Sequence, residues 1–342
     1  MTIPLMPCYC YITVSAEDKI LIFDMNPANG DLKLIDTFSL SGIPGPLAMG
    51  PDKQHIYVCR RGIKQTSSLT IDHKTGALSE TSSVSIDDDH CYLYVDRSGK
   101  NLLSASYGGG FTASHRINED GTLVEEPNCQ ISTAIKAHFI QTDSSNTYAF
   151  VPHVGESNAI FQFHFDSNSG RLTANDIPSV SPPAGVGPRH MEFHPRLDMV
   201  YVSNEQGSSI STYKFDRTNG TLALSQTLST LPEGYNEDNS CAQIHIASSG
   251  SHVYVSNRGH DSIACFAIDP TSGELTALGQ QPTESVPRAF NIDPTGNFLY
   301  AGGQTSGKLA SYRILESGLL DPIKTYDIGL ESLWVLFLES NV

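Results

Sequence analysis

The chain has 342 residues, of which 39% are hydrophobic, a content typical of a globular protein and too high for a disordered one. Its formal net charge of −16 would repel nucleic acid and anionic lipid, so we expect neither as a partner. No stretch approaches the roughly 20 apolar residues of a membrane span, and the N-terminus lacks the features of a signal peptide, so a cytoplasmic protein is predicted.

Seven cysteines are scattered through the sequence without a Cys-x-x-Cys pair. Only Cys8 and Cys10 are close together, and residues two apart on a strand face the same side. A metal site at this pair would lack obvious further ligands. The odd number of cysteines predicts reduced thiols that mostly serve packing, which agrees with a cytoplasmic protein.

A Gly-x-Leu motif recurs seven times, at intervals of 45 to 53 residues. Its glycines are Gly30, Gly76, Gly121, Gly170, Gly220, Gly273 and Gly318. Most of them follow a short polar run that is typical of a tight turn between antiparallel strands, where glycine accepts a positive φ. A repeat of this length without a helical pattern is typical of propeller blades.

Apolar strands keep step with the glycines, as in 56–58, 200–202 and 253–255. The alternation over 160–165 fits a half-buried strand. Each unit contains four such strands, so the sequence predicts an all-β fold, a seven-bladed β-propeller with four-stranded antiparallel blades. We expect residues 1–342 to form this propeller as a single domain.

The two ends of the chain complement each other. The first unit lacks a strand before the one that contains Tyr11, whereas the last unit is followed by an additional apolar run, 333–338. We expect this C-terminal run to supply the inner strand of the N-terminal blade and to close the ring, which removes exposed sheet edges. An open β-solenoid or a pair of sandwiches, the alternative folds, would not need this complementarity.

Polar residues that differ from blade to blade occupy equivalent positions at one mouth of the predicted channel. Counting four residues past the position that is usually tyrosine gives Ser15, Arg61, Tyr107, Pro152, Glu205, Arg258 and Gln304. The start of the preceding inner strand gives His90, His138, Arg189, His190, Gln243, His245 and Arg288. Structural repeats normally keep one type of residue at such positions, so the variation indicates a site for an asymmetric ligand.

These residues also have structural explanations. A single strand histidine such as His190 often only satisfies local hydrogen bonds, and Arg189 and Arg288 could join neighbouring blades by salt bridges. The acidic run 87–89 is either a solvated loop or a lip beside His90 that binds a metal or hydroxyl groups. Extra carboxylates near the site would disfavour a phosphorylated substrate. The shared register of the polar residues favours a functional role, because independent structural uses need not coincide.

Several motifs at these positions are similar to those of one protein family. They include Gly187-Pro-Arg-His-Met-Glu-Phe-His-Pro195, then 201–205, 254–259 and 282–290. With them the chain resembles the lactonase family of seven-bladed propellers over essentially its whole length. That family includes bacterial propeller-type 6-phosphogluconolactonase and the fungal 3-carboxy-cis,cis-muconate lactonizing enzyme.

The resemblance implies a lactonase, a hydrolase that acts on the ester bond of a sugar-acid lactone. It implies the catalytic residues His138, Arg189, Glu205 and Arg258. Other polar residues near the mouth are predicted to bind substrate: His90, Tyr107, His153, His190, His245, Arg288 and Gln304. The arginines suit an anionic substrate, because guanidinium groups bind planar anions through paired N–H donors.

In the mechanism that these residues support, Glu205 or His138 deprotonates the attacking water, and the other protonates the departing alkoxide. Arg189 and Arg258 stabilise the oxyanion or hold an anionic group of the substrate. No nucleophile elbow and no HExxH motif is present, so we predict neither an acyl-enzyme nor a cofactor, although a divalent metal beside the acidic run stays open.

Two other functions stay open at this stage. The same residues could instead catalyse the formation of a lactone, as in a lactonizing cycloisomerase. Propellers also serve as non-catalytic interaction modules, since a fold does not imply a function. An interaction module would present an apolar surface and no cluster of ionisable residues. The sequence does not indicate the oligomeric state.

Overall fold

The structure is a computed structural model and describes residues 8–339. These residues form seven four-stranded antiparallel sheets, the blades of a propeller, and thus confirm the predicted fold. None of the helices in this part of the chain is long and apolar enough to cross a membrane.

The strands are, in blade 1, β1 (Cys8–Val14), β2 (Lys19–Met25), β3 (Leu32–Ser39) and β28 (Ser332–Glu339); in blade 2, β4 (Pro44–Met49), β5 (His55–Arg60), β6 (Gln65–Ile71) and β7 (Leu78–Ser85); in blade 3, β8 (His90–Val95), β9 (Asn101–Ser106), β10 (Phe111–Arg116) and β11 (Cys129–Ser132); in blade 4, β12 (Gln141–Thr142), β13 (Tyr148–His153), β14 (Ala159–Asp166) and β15 (Arg171–Val180); in blade 5, β16 (Pro188–Phe193), β17 (Met199–Asn204), β18 (Ser209–Asp216) and β19 (Thr221–Ser229); in blade 6, β20 (Ser240–Ile246), β21 (His252–Arg258), β22 (Ser262–Ile268) and β23 (Leu275–Pro282); and in blade 7, β24 (Pro287–Ile292), β25 (Phe298–Gly303), β26 (Lys308–Ile314) and β27 (Leu320–Asp327). Two 3₁₀ helices, Ser15–Glu17 and Gly155–Ser157, follow β1 and β13.

The ring closes as predicted. β28 pairs antiparallel with β1, from Cys8 opposite Glu339 to Val14 opposite Ser332, and so completes blade 1. Around the central channel the inner strands contact one another in the order β16, β20, β24, β28, β4 and β8. The first and the last strand of the described residues are therefore held in the same sheet.

The hydrophobic core is divided among the blade interfaces. In residues 8–339 each pair of consecutive blades encloses its own apolar cluster, including the pair formed by blades 7 and 1. The blades therefore pack face to face, and the alternation of apolar residues along each strand supplies both faces.

The Gly-x-Leu repeat is explained by the contact between blades. Gly220 has a φ of +65°, and a Cβ there would lie 2.0 Å from the Tyr148 ring of the preceding blade. Gly30 meets Phe298 in the same way across the ring closure. Glycine is therefore required both by the left-handed backbone and by the close approach of the neighbouring side chain.

The tyrosine that recurs in the repeat donates a hydrogen bond to the Gly-x-Leu turn of the next blade around the ring. The Tyr300 hydroxyl donates to the Gly30 carbonyl oxygen at 2.7 Å, and the Tyr254 hydroxyl donates to the Gly318 carbonyl oxygen at 3.0 Å. Both hydroxyl groups are buried. The two sequence markers that defined the repeat are thus the two sides of one interblade contact.

Replacing Tyr300 by phenylalanine is expected to lower the free energy of unfolding by about 1–2 kcal/mol, because the buried Gly30 carbonyl loses its partner. Tyr148→Phe is the control, since that hydroxyl donates to Thr218 at an exposed site and water can replace it. Urea unfolding of both variants measures the difference. Equal losses of free energy of unfolding in the two variants would contradict a larger contribution of the buried hydrogen bond at the ring closure.

Candidate active site

β-Bulges place selected side chains in the channel. In β16 the register shifts between Pro188 and His190, which makes Arg189 the extra residue. The equivalent extra residues are Cys91 in β8, Arg288 in β24 and Leu333 in β28. A bulged residue leaves the alternation of its strand, so its side chain is re-aimed. All four residues line one cavity at the centre of the ring, which we call the inner cavity.

Glu205 joins two arginines at this end of the channel. Because β16 and β17 are antiparallel, the residue after β17 lies beside the start of β16. Oε2 of Glu205 accepts a hydrogen bond from Nε of Arg189 at 2.7 Å and lies 3.2 Å from Nη2 of Arg258. Arg258 also donates to the carbonyl oxygen of Cys241 at 2.8 Å. The three residues predicted together from the sequence are therefore in direct contact.

The ionisation of this cluster follows from its burial and its charges. Burial raises the pKa of Glu205, but the positive charges of Arg189 and Arg258 outweigh it and hold the pKa below its ordinary value. Arg189 is only 2% exposed, and burial together with the Arg258 charge lowers its pKa to about 9. At neutral pH the cluster thus contains one carboxylate between two guanidinium groups.

His138 lies beside this cluster as a neutral imidazole. Its ring centroid is 5.7 Å from that of Tyr107 and 5.2 Å from that of His190. Burial, followed by the charges of Arg189 and Arg288, lowers the pKa of His138 well below its ordinary value. Its Nδ1 has no hydrogen-bond partner within residues 8–339. The ring is therefore uncharged at neutral pH and has a ring nitrogen without a protein partner.

Two cavities of different size meet at this mouth. The inner cavity has a volume of about 20 Å³ and is lined by His138, Arg189, His190 and Arg288, among others. A second cavity of about 420 Å³, here the outer cavity, is lined by residues of blades 7, 1 and 2. Arg61, Arg288 and Leu333 line both, so the two cavities adjoin each other at these residues.

The other predicted residues in the channel have different surroundings. His190 lines the inner cavity and packs on the rings of Tyr92, Phe139 and Trp334. His245 lies further along β20, where its Nδ1 is 3.3 Å from Oε1 of Glu192. Gln304 lines the outer cavity.

His90 and His153 do not join the site. His90 precedes the bulged Cys91, so its ring turns into blade 3, where Nε2 lies 3.4 Å from Oγ of Ser104 and the ring borders a separate cavity. His153 is fully buried, and its ring nitrogens contact Thr133 and the Val151 carbonyl oxygen. The expectation that both histidines lie with the others at the mouth is corrected accordingly.

The register of blade 4 also differs from the sequence alignment of the repeats. In blade 4 the Asp143 N–H donates to the Tyr148 carbonyl oxygen, and in blade 5 the His194 N–H donates to the Met199 carbonyl oxygen. Tyr148 is therefore equivalent to Met199, and Phe150 is equivalent to Tyr201. The residue at the mouth in this blade is therefore Val154, not Pro152. Tyr148 lies two residues before the position that is tyrosine in the other blades. Counting four residues from Tyr148 therefore pointed to Pro152 instead of Val154.

The acidic run is largely engaged in ion pairs and hydrogen bonds. Asp89 accepts from Nε of Arg61 at 2.9 Å, and Asp88 lies 3.4 Å from Nζ of Lys64. Asp87 accepts a hydrogen bond from Gln130. Within residues 8–339 no group of three or more His, Cys, Asp or Glu side chains is arranged to hold a metal ion.

The sequence did not single out Glu331 as part of the site. Its carboxylate lines the outer cavity and accepts a hydrogen bond from Nε2 of Gln304 at 2.5 Å. Glu331 lies just before β28, at the link between blades 7 and 1. The only signal in the sequence was its place shortly before the predicted closing run, 333–338, and this does not tell which residues lie beside it.

Known proteins match the chain over almost its full length. A family model described as "Lactonase, 7-bladed beta-propeller" matches residues 9–337. The chain is 33% identical over 329 residues to the 6-phosphogluconolactonase of Pectobacterium atrosepticum, which covers 96% of this chain and 98% of that protein. The 6-phosphogluconolactonase of Serratia proteamaculans is 31% identical, with the same coverage.

Solved structures share the fold at lower sequence identity. The periplasmic gluconolactonase of Pseudomonas aeruginosa superposes with a TM-score of 0.89 at 22% identity, over 97% of this chain and 99% of that one. A protein from Lactobacillus plantarum gives 0.87 at 24% identity, over 98% and 100%. By the family model and the full-length relatives, the chain belongs to the lactonase family of seven-bladed β-propellers.

Proposed function

We propose that this chain is a lactonase that hydrolyses the ring ester of a sugar-acid lactone, with 6-phosphogluconolactone as the expected type of substrate. The observation that carries the proposal is the contact of Arg189, Glu205 and Arg258 beside the neutral ring of His138. Ester hydrolysis needs such acid–base and anion-stabilising groups. The names of the relatives from Pectobacterium and Serratia support the same reaction.

We assign the role of general base to His138. His138 lines the inner cavity, which has room for about one water molecule. Oε2 of Glu205 is occupied by two guanidinium groups, which leaves it little affinity for a proton. The burial that lowers the pKa of His138 also makes the protonated ring a good acid toward a departing alkoxide. Glu205 then acts through Arg189, as its positioning residue.

Arg288 and Arg189 are the proposed oxyanion donors. The Arg288 guanidinium forms no salt bridge in the described part of the chain, and it lines both cavities. Arg189 is fixed by Glu205, and its Nη1 has no hydrogen-bond partner within 8–339. Fixed cations beside a position where negative charge develops stabilise a transition state more than the ground state.

The proposed reaction needs no covalent enzyme intermediate. The water oxygen bonds to the carbonyl carbon as its proton moves to His138, and the carbonyl electrons move onto the oxygen that faces Arg288. When the carbonyl re-forms, the bond to the ring oxygen breaks and that oxygen takes the proton from His138. The product is a hydroxy acid, which ionises to a carboxylate and releases one proton.

An anionic substrate is part of the proposal. Three arginines line the two cavities, Arg61, Arg189 and Arg288, and Arg258 adjoins them through Glu205. In a protein of net charge −16 they form a local positive field that attracts an anion. The pairing of Asp89 with Arg61 and of Asp88 with Lys64 supports a phosphorylated substrate, because it reduces the repulsion that these carboxylates would exert.

We further propose that hydrolysis needs no metal and takes place in the cytoplasm. The engagement of the acidic run by Arg61, Lys64 and Gln130 supports the first point, since these carboxylates have partners already. The buried free thiols of Cys59, Cys241 and Cys265 support the second, because reduced cysteines are typical of that compartment.

A lactone panel tests the proposal. 6-Phosphogluconolactone, D-glucono-1,5-lactone and a muconolactone are assayed by acid release above the spontaneous rate, with and without EDTA. We expect hydrolysis of the sugar lactones, fastest for the phosphorylated one, and no effect of EDTA. Absence of hydrolysis above background for every lactone would contradict the proposed activity. A loss in EDTA that added divalent metal restores would contradict the metal-free mechanism.

A further inference from the structure

The outer cavity lies on the side of the ring opposite the proposed acid–base residues and shares only Arg288 with the proposed catalytic groups. Glu205, Arg258 and His138 belong to blades 5, 6 and 4, whereas the outer cavity is lined from blades 7, 1 and 2. Its polar residues include Ser15, Gln304 and Glu331. The mouth therefore has two sides, one with acid–base groups and one with an open, polar cavity.

The sizes of the cavities decide where a lactone ring can bind. The inner cavity, about 20 Å³, holds roughly one water and cannot hold a six-membered ring. The outer cavity, about 420 Å³, falls in the range of roughly 300–1,000 Å³ that small-molecule sites have. A ring in the outer cavity would meet a water in the inner cavity at Arg288, which lines both.

Glu331 and Gln304 give this cavity a pattern that suits hydroxyl groups. Gln304 Nε2 donates to Oε2 of Glu331 at 2.5 Å, which fixes both side chains. One carboxylate oxygen and the amide oxygen keep their capacity to accept hydrogen bonds, and the amide keeps a second N–H. Neighbouring ring hydroxyls both donate and accept, so such a pair can bind them together.

The main chain holds the pair in place. The Glu331 N–H donates to the Gln304 carbonyl oxygen at 2.8 Å, and the Ser15 N–H donates to the Glu331 carbonyl oxygen at 3.0 Å. Glu331 thus bridges blades 7 and 1 through its backbone. A change of its side chain leaves these two bonds intact, which makes the pair accessible to mutation without opening the ring.

We propose that the Glu331–Gln304 pair is the specificity-determining element of the site, which binds the hydroxyl groups of a polyhydroxylated lactone ring seated in the outer cavity. This inference rests on the proposed lactonase function. It assigns ring recognition to blades 7 and 1 and chemistry to blades 4 to 7, with Arg288 at the boundary.

The test compares KM and kcat of the wild type, Glu331→Gln and Gln304→Leu for the sugar lactone that the wild type hydrolyses best. Loss of hydrogen bonds to a charged acceptor is expected to raise KM roughly 10- to 100-fold for Glu331→Gln. We expect kcat to stay nearly constant, because the pair does not contact the reacting carbonyl. δ-Valerolactone, which has the same ring without hydroxyls, is expected to show the same kcat/KM in all three proteins.

Glu156→Gln is the matched control, since Glu156 is an exposed carboxylate in the 3₁₀ helix of blade 4 and does not line the outer cavity. An unchanged KM for Glu331→Gln in an active enzyme would overturn this inference alone. A fall in kcat at constant KM, or equal losses on the sugar lactone and on δ-valerolactone, would also overturn it. Failure of the wild type on every lactone would instead remove the proposed function on which it rests.

Discussion

Replacement of His138 by glutamine is expected to lower kcat for lactone hydrolysis by roughly 100- to 10,000-fold, the usual contribution of a general base. The glutamine amide keeps a polar group beside the inner cavity but cannot accept a proton at neutral pH. KM should change little, because the ring of the substrate is bound elsewhere. Steady-state kinetics above the spontaneous rate measures the effect.

The pH profile gives this prediction its sharper test. A catalytic base acts in its neutral form, so activity is present above its pKa and is lost as the pH falls through it. Burial and the charges of Arg189 and Arg288 lower the pKa of His138, so the acidic limb of kcat should lie below pH 6.5, the ordinary value for histidine.

The residual activity of His138→Gln should lack this acidic limb. His164→Gln, a change at an exposed histidine of β14, is the control and should retain the wild-type profile. A half-loss of wild-type activity at or above pH 6.5 would speak against a buried His138 as the base. An acidic limb that persists unchanged in His138→Gln would contradict the same role.

Replacement of Glu205 by glutamine is expected to lower kcat/KM roughly 100- to 1,000-fold, the effect of losing one oxyanion donor. Within the described residues, Glu205 is the only carboxylate that forms a salt bridge with Arg189. The change removes this negative charge and leaves Arg189 near the positive charges of Arg258 and Arg288. Arg189 is then left buried beside like charges, and we expect it to leave its position. Such an unpaired buried charge should also cost about 3 kcal/mol in the free energy of unfolding.

The readouts separate positioning from direct catalysis. If Glu205 only positions Arg189, the slow variant should keep the acidic limb that belongs to His138. If Glu205 is itself the base, that limb should disappear in Glu205→Gln and persist in His138→Gln. Glu192→Gln, a carboxylate further along the channel that pairs with His245, is the control and should be nearly as active as the wild type.

The position of the polar cluster explains why the interaction-module alternative is disfavoured. That alternative requires an apolar mouth without a concentration of ionisable groups. Arg189, Glu205 and Arg258 instead form a continuous set of contacts of 2.7 and 3.2 Å beside a neutral histidine. Burying three charged side chains together is costly unless they are paired, and a surface for protein binding has no need of it.

The sequence by itself determined the architecture of this protein. The Gly-x-Leu and tyrosine markers each recur because neighbouring blades make the same contact around the ring, as between Tyr300 and Gly30. The surplus apolar run at 333–338 predicted the closure by β28 because an inner strand was missing at the other end. Periodic, local patterns of this kind survive in the sequence and can be counted.

Only the tertiary structure decided which side chains meet. The pattern along a strand tells which face a residue occupies, but a single bulged residue moves the next side chain to another face. For that reason Arg189 and Arg288 reach the inner cavity, whereas His90, one residue before the bulged Cys91, turns into its blade. Glu331 entered the site through the junction of the chain ends, a neighbourhood that exists only after the ring has closed.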